Sequence, residues 1–193
     1  MNYPNGIKKE HTKSKSFSNR GMDLEKMINS SNEYYINHDI AYIYKKPIPI
    51  KIVEVSYPCR KKAIITKAFY STPSTTDYNG IYKGFYIDFE AKETQSKTSF
   101  VLSNIHNHQL NHLNNISNHN GIAFIIIRFC AYNEIYILEH ECLKNYLINT
   151  KTKSLPYKWI IKNAHLIKEK FSPTLDYLKV IDNIIEKRYC NEF

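Results

Sequence analysis

The sequence predicts a single α/β domain built on a mixed central sheet, and three observations carry that prediction. Helical and strand-like segments follow one another in the order helix, strands, helix, strands, helices. The run "GIAFIIIRFC", Gly121 to Cys130, is apolar almost throughout and of strand length, as a buried strand requires. The stretch "FYIDFEAK" alternates instead, with Phe85, Ile87, Phe89 and Ala91 on one face and Tyr86, Asp88, Glu90 and Lys92 on the other.

Size and composition agree with one folded unit. The chain has 193 residues, 42% hydrophobic and 23% charged, which suits one domain with a real core. Its formal net charge of +9 favours a polyanionic partner, nucleic acid or an anionic membrane surface. Four widely spaced cysteines, Cys59, Cys130, Cys142 and Cys190, form no CxxC pair, so a reducing cytoplasm is the expected home. The longest apolar run falls far short of the roughly 20 residues that span a bilayer, so no membrane role is expected.

Taken in order, residues 1–17 read as a basic N-terminal arm without the apolar core of a signal peptide, and 18–193 as one domain. Met22, Leu24, Met27 and Ile28 recur at helical spacing and predict a helix from about Gly21 to Tyr35. Two β-branched segments follow, and Pro47, Pro49, Pro58 and Pro73 confine them to sheet edges or a separate ribbon. Asn79-Gly80 is a strong hairpin-turn signal, placing one strand up to Tyr78 and another from about Ile81 to Lys92. A helix is expected over Thr98 to Asn118, then the buried strand, then an amphipathic strand in "NEIYILEHE". The helices "PYKWIIKNAHLIKEK" and "DYLKVIDNIIEKRY" close the chain.

The polar row of "FYIDFEAK" raises the functional question. Asp77 lies near a turn, and Glu90 and Lys92 share one face of the next strand. Carboxylates gathered in this way repel unless a cation neutralises them, and hard oxygen donors suit Mg²⁺. A lysine beside such a site could hold an attacking water or steady charge on a phosphate, which is the chemistry of phosphodiester hydrolysis. The spacing D-x₁₂-E-x-K by itself is a weak pattern.

The histidine group "HNHQLNHLNNISNH" places His108 and His112 at i, i+4, but the glutamate of HExxH is missing. A polar stripe facing solvent or DNA is the favoured reading over zinc. Ile105, Gln109, Leu113 and Ile116 form an apolar stripe in which Gln109 is the only polar member.

The runs "NRGMDLEKMIN", "PSTTDYNGIYKGFYIDFEAKET", "KTSFVLSNIHNHQLNHL", "HNGIAFIIIRF" and "LDYLKVID" resemble, in order, the RecU family of Holliday junction resolvases, from about Ser18 to about Ile184. That resemblance implies a restriction-endonuclease-like fold of the PD-(D/E)xK group with a projecting β stalk. It implies a homodimer that cuts four-way DNA junctions with symmetric paired nicks in homologous recombination and repair, using one or two Mg²⁺ per subunit, with Mn²⁺ as the alternative. The family's metal-site residues fall on Thr75, Asp77, Glu90 and Gln109, with catalysis assigned to Asp77, Glu90 and Lys92, the lysine in the transition-state role.

In RecU-like proteins a stalk enters the junction centre; here it corresponds to about residues 46–70. Lys51, Arg60, Lys61, Lys62 and Lys67, with Arg20 before the first helix, are the expected DNA contacts. Glu25 and Asp88 are supporting candidates. Branch-migration and strand-exchange proteins are the expected protein partners. The chain departs from the family at Thr174, where a basic residue is usual, and in its short, poorly matched arm. Two alternatives stay open: an endonuclease of ordinary duplex DNA, and a non-catalytic module that binds DNA and anneals strands.

Overall fold

The computed structural model describes residues 22–71 and 75–190, apart from the side chains of residues 22, 23, 60, 189 and 190. The arm, Arg20 and the Arg60 side chain lie outside that description. A six-stranded mixed sheet forms the centre, in the order β1-β4-β5-β7-β8-β10. Its strands are β1 (Tyr42–Lys45), β4 (Tyr78–Tyr82), β5 (Phe85–Thr94), β7 (Ile122–Phe129), β8 (Glu134–Glu139) and β10 (His165–Ile167). Only β5 and β7 run parallel; every other pairing in this sheet is antiparallel. The mixed α/β architecture is the one the sequence predicts.

Helices cover both faces because β7 and β8 are apolar on both. On one face, α1 (Met22–Asn37) and α5 (Leu178–Cys190) bring Leu24, Ile28, Ile181 and Ile184 against Ile87, Phe89, Phe124, Ile126, Ile135 and Ile137. On the other, α2 (Asn107–Asn118), α3 (His140–Asn149) and α4 (Tyr157–Asn163) bring Leu113, Leu143 and Ile160 against Ile125, Ile127, Phe129 and Leu138. Each fully buried aliphatic side chain contributes about 1.5–3 kcal/mol of transfer free energy. Among the described residues no helix is long and apolar enough to cross a membrane.

Outside this sheet, β2 (Ile50–Ser56) and β3 (Ile64–Tyr70) form a separate two-stranded ribbon joined through a 3₁₀ turn at Arg60–Lys62. Every described residue of β3 is exposed, and all of β2 but Val55. The Ser71 N–H donates to the Pro49 carbonyl at 2.9 Å, closing the root of the ribbon.

The structure corrects several expectations. Asn79-Gly80 is not a turn: both residues lie within β4, and the hairpin turns at Lys83-Gly84, whose φ angles are 50° and 82°. Gly80 serves close approach, since a Cβ there would stand 2.1 Å from the Tyr42 carbonyl oxygen. The helix expected from Thr98 starts at Asn107, because β6 (Ser99–Val101) pairs with β9 (Ser154–Pro156) and Leu102–Asn104 makes a 3₁₀ turn. The strand β8 is buried, not amphipathic: Ile135 and Ile137 face one core while Tyr136 and Leu138 face the other. The helix expected over "PYKWIIKNAHLIKEK" ends at Asn163, and "HLI" becomes β10 on the free edge of β8. The helix α3 has no counterpart in the sequence reading.

Candidate active site

An aromatic ladder sets the frame of the site. Tyr78, Phe89 and Phe124 stand opposite one another on β4, β5 and β7, and their rings stack at 4.8 Å each. All three have no exposed surface, and cross-strand pairs of this kind add about 0.2–1 kcal/mol apiece. Alternation then sends the side chain of Glu90, next to Phe89, to the opposite face, and the ladder holds β4, and so Asp77 just before it, in register with β5.

On that face Asp88, Glu90 and Lys92 stand in a row, and the first two have no exposed surface. A row of charges is costly to bury, and each acid is here matched with a cation. Lys92, its side chain 24% exposed, pairs through its ammonium with Glu90 Oε1, and the Asp77 backbone N–H donates to Glu90 Oε2 at 3.2 Å. Oε1 touches that ammonium without accepting a hydrogen bond of good geometry. Burial, and after it the nearby Asp77 charge, push the Glu90 carboxyl up to about 7, against the opposing pull of Lys92. A carboxyl held in this state has a use for a further cation. Asp77 and Glu90 bring two carboxylates together, and Mg²⁺ binds through one or two carboxylates with water or phosphate taking its other positions, so these two acids fit the metal that the sequence leads us to expect.

Asp88 belongs to a second set of contacts. Its Oδ2 accepts from Lys46 Nζ at 2.7 Å and from the Tyr86 hydroxyl at 3.0 Å, and its Oδ1 accepts from the Thr76 hydroxyl. His112 Nε2, from α2, lies 3.1 Å from Oδ2. The polar histidine stripe thus turns one member inward, toward an acid, while the rings of His106 and His108 stack on each other at 5.4 Å.

Other expected site residues are placed elsewhere. The Gln109 side chain is buried, and its Oε1 accepts the His106 N–H at 2.9 Å in a capping box at the start of α2. The Thr75 hydroxyl donates to the Thr76 carbonyl at 3.3 Å. No hydrogen bond among the described residues joins either side chain to Asp77 or Glu90. Glu25 pairs with Lys45 at 2.5 Å, away from the Glu90–Lys92 pair. Thr174 sits by the first helix, its hydroxyl 3.5 Å from that of Ser30. Lys51, Lys61, Lys62 and Lys67 are exposed on the ribbon, and Lys67 lies 3.9 Å from Glu54.

Sequence reasoning misses Lys46 and Thr76, and names His112 only as part of a stripe facing solvent or DNA. Lys46 carries no pattern beyond standing before Pro47, and its contacts come from residues 30, 42 and 66 positions away in the chain.

An acid-x-lysine pair on the central parallel strand, with another acid at the start of the preceding hairpin, is the arrangement of the restriction-endonuclease-like PD-(D/E)xK class. Residues 19–183 match the model of the family described as RecU, Recombination protein U. Two curated relatives, each called Holliday junction resolvase RecU, agree along nearly their full lengths. That of Staphylococcus aureus (strain JH9) is 49% identical over 96% of this chain and 96% of its own. That of Bacillus cereus (strain AH820) is 44% identical over 95% of this chain and 98% of its own. This chain belongs to the RecU family. Among solved structures, Archaeoglobus fulgidus Hjc, a Holliday junction resolvase from an archaeal hyperthermophile, superposes with a TM-score of 0.42 at 8% identity, covering 76% of this chain and 95% of that one.

Proposed function

We propose that this protein is a structure-selective endodeoxyribonuclease that resolves Holliday junctions by symmetric paired nicks, through Mg²⁺-dependent phosphodiester hydrolysis, in homologous recombination and repair. The observation that carries the reading is the pairing of buried Glu90 with both Lys92 and the Asp77 backbone, in a chain 44% to 49% identical to proteins named as resolvases.

Asp77 and Glu90 would hold the cation, with Thr75 and with Gln109 once its carboxamide leaves the α2 cap. When bound, Mg²⁺ or Mn²⁺ supplies Lewis-acid polarisation of the scissile phosphate and a lower pKa for the attacking water. Lys92, beside Glu90 on the same face of β5, would donate to that water or to the phosphate oxygen on which charge develops. Exposed Lys51, Lys61, Lys62 and Lys67, with Arg20 and Arg60, are proposed phosphate contacts, placing the ribbon as the stalk that enters the junction. One site per subunit cuts one strand, so paired nicks call for a homodimer with two-fold symmetry. We place the protein in the cytoplasm, where branch-migration and strand-exchange proteins would be its partners.

The test uses labelled mobile four-way junction and matched linear duplex, with Mg²⁺ or with EDTA. Paired nicks should appear in the junction alone and vanish in EDTA and in Asp77→Asn, while junction binding persists. Lys92→Ala should lower the single-turnover rate by about 10²–10³-fold. Equal cutting of the duplex would remove junction selectivity from the reading, and binding without cutting under any metal would end it.

A further inference from the structure

Three segments of the chain meet at Asp88, and Lys46 reaches all of them. Lys46 is the first residue after β1, where the chain leaves the sheet for the ribbon; Thr76 lies on the returning side; His112 projects from α2. The Lys46 ammonium donates to Asp88 Oδ2 at 2.7 Å and to the Thr76 hydroxyl at 3.0 Å, and stands 3.4 Å from His112 Nε2. Its backbone N–H donates to the Asp77 carbonyl at 2.7 Å, extending the β1–β4 ladder by one step. One residue thus grips both ends of the ribbon insertion and the turn that carries Asp77.

The charges make the contact consequential. Asp88 is wholly buried, and a buried carboxylate without a partner is strongly destabilising. Lys46, 16% exposed in its side chain, supplies the opposite charge. Asp88 is paired with Lys46 and Glu90 with Lys92, so Lys46 takes up the charge of Asp88 beside the Asp77–Glu90 edge. His112 Nε2 completes the set: a single nitrogen donates to Asp88 in one tautomer and accepts from Lys46 in the other.

Building on the nuclease reading above, we propose that Lys46 is a positioning residue, which pins Asp88 and Thr76 through its ammonium and Asp77 through its backbone. It thereby holds the Asp77 turn against Glu90 in the geometry that admits a divalent cation, and ties that geometry to the root of the ribbon. A lysine serving only as a counter-charge to Asp88 has no need of the Thr76 contact; one that sets the turn does.

The experiment titrates Mn²⁺ into DNA-free, full-length protein and follows the free ion by electron paramagnetic resonance; junction affinity is measured separately in EDTA. Lys46→Met keeps the aliphatic stem and should raise the Mn²⁺ concentration for half-saturation about tenfold while leaving junction affinity in EDTA unchanged. Lys46→Arg should restore most of the Mn²⁺ affinity. The double variant Lys46→Met/Asp88→Asn carries no buried unpaired charge and serves if the single variant does not fold. It should still bind Mn²⁺ weakly, because the Thr76 contact stays lost. Unchanged Mn²⁺ affinity in folded Lys46→Met, or wild-type affinity in the double variant, would overturn the proposal. Loss of junction affinity in EDTA with Mn²⁺ binding intact would make Lys46 a phosphate contact instead. If the wild type itself binds no Mn²⁺, the metal reading fails, and the role of Lys46 fails with it.

Discussion

The strand β7 and the ribbon of β2 and β3 are written in much the same alphabet and meet opposite fates. "IAFIIIRF" in β7 and "IITKAFY" in β3 are both rich in isoleucine and aromatic residues, yet Phe124, Ile125, Ile126 and Ile127 have no exposed surface while Ile64, Ile65, Phe69 and Tyr70 are 47% to 82% exposed. The difference lies in what covers them. β7 is hydrogen-bonded on both edges and roofed by helices on both faces, whereas the ribbon has only its own two strands. A two-stranded ribbon is marginal in isolation, so this one draws its order from the root at Pro49 and Ser71. Apolar β-branched residues therefore signal extended backbone in both regions, but burial in only one.

The comparison is tested most severely by removing the ribbon. Replacing residues 50–70 with a short glycine-serine link should leave the thermal midpoint nearly unchanged, since almost nothing in the ribbon is buried, yet reduce junction cleavage to the level seen with duplex. A collapse of the midpoint would show that the ribbon is part of the core. Single residues sharpen the contrast. Ile125→Ala should cost about 2–5 kcal/mol in urea unfolding, and Ile52→Ala less than about 0.5 kcal/mol. Equal costs would mean that the ribbon is packed in solution.

The smallest expected effect concerns pH and the buried face that the ribbon lacks. His140 opens α3 with 4% of its surface exposed and neither ring nitrogen hydrogen-bonded, and burial, then the Lys144 charge, lower its pKa from 6.5 to about 4. Because the folded pKa is depressed, the unfolded chain takes up the proton first as pH falls. The stability from neutral His140 is thus complete above 6.5 and is lost as pH falls through that value toward about 4. Unfolding midpoints of the wild type should drop between pH 7 and pH 4.5 more steeply than those of His140→Phe. Parallel curves would mean that His140 is protonated within the fold.

How far the candidate site is legible in the sequence follows from the range of each interaction. The alternation of "FYIDFEAK" is enough to place Asp88, Glu90 and Lys92 on one face, because strand geometry depends on neighbours two residues apart. Asn79-Gly80 misleads because its glycine answers to Tyr42, 38 positions earlier in the chain, rather than to a turn. The Gln109 stripe is legible as buried, but not as a helix cap, since that depends on where α2 begins, and its start depends on β6 pairing with β9.

By itself the sequence determined the periodicities, the charge excess and the identity of the acids and lysines, because these are local properties that every copy of the chain carries unfolded. Tertiary structure alone decided which isoleucines are buried, that "HLI" is a strand and not a helix, and that Asp88 meets Lys46, 42 positions away in the chain. Those outcomes rest on contacts between distant segments. The free energy of burying an acid or an apolar face depends on what lies opposite, and only the folded chain supplies that.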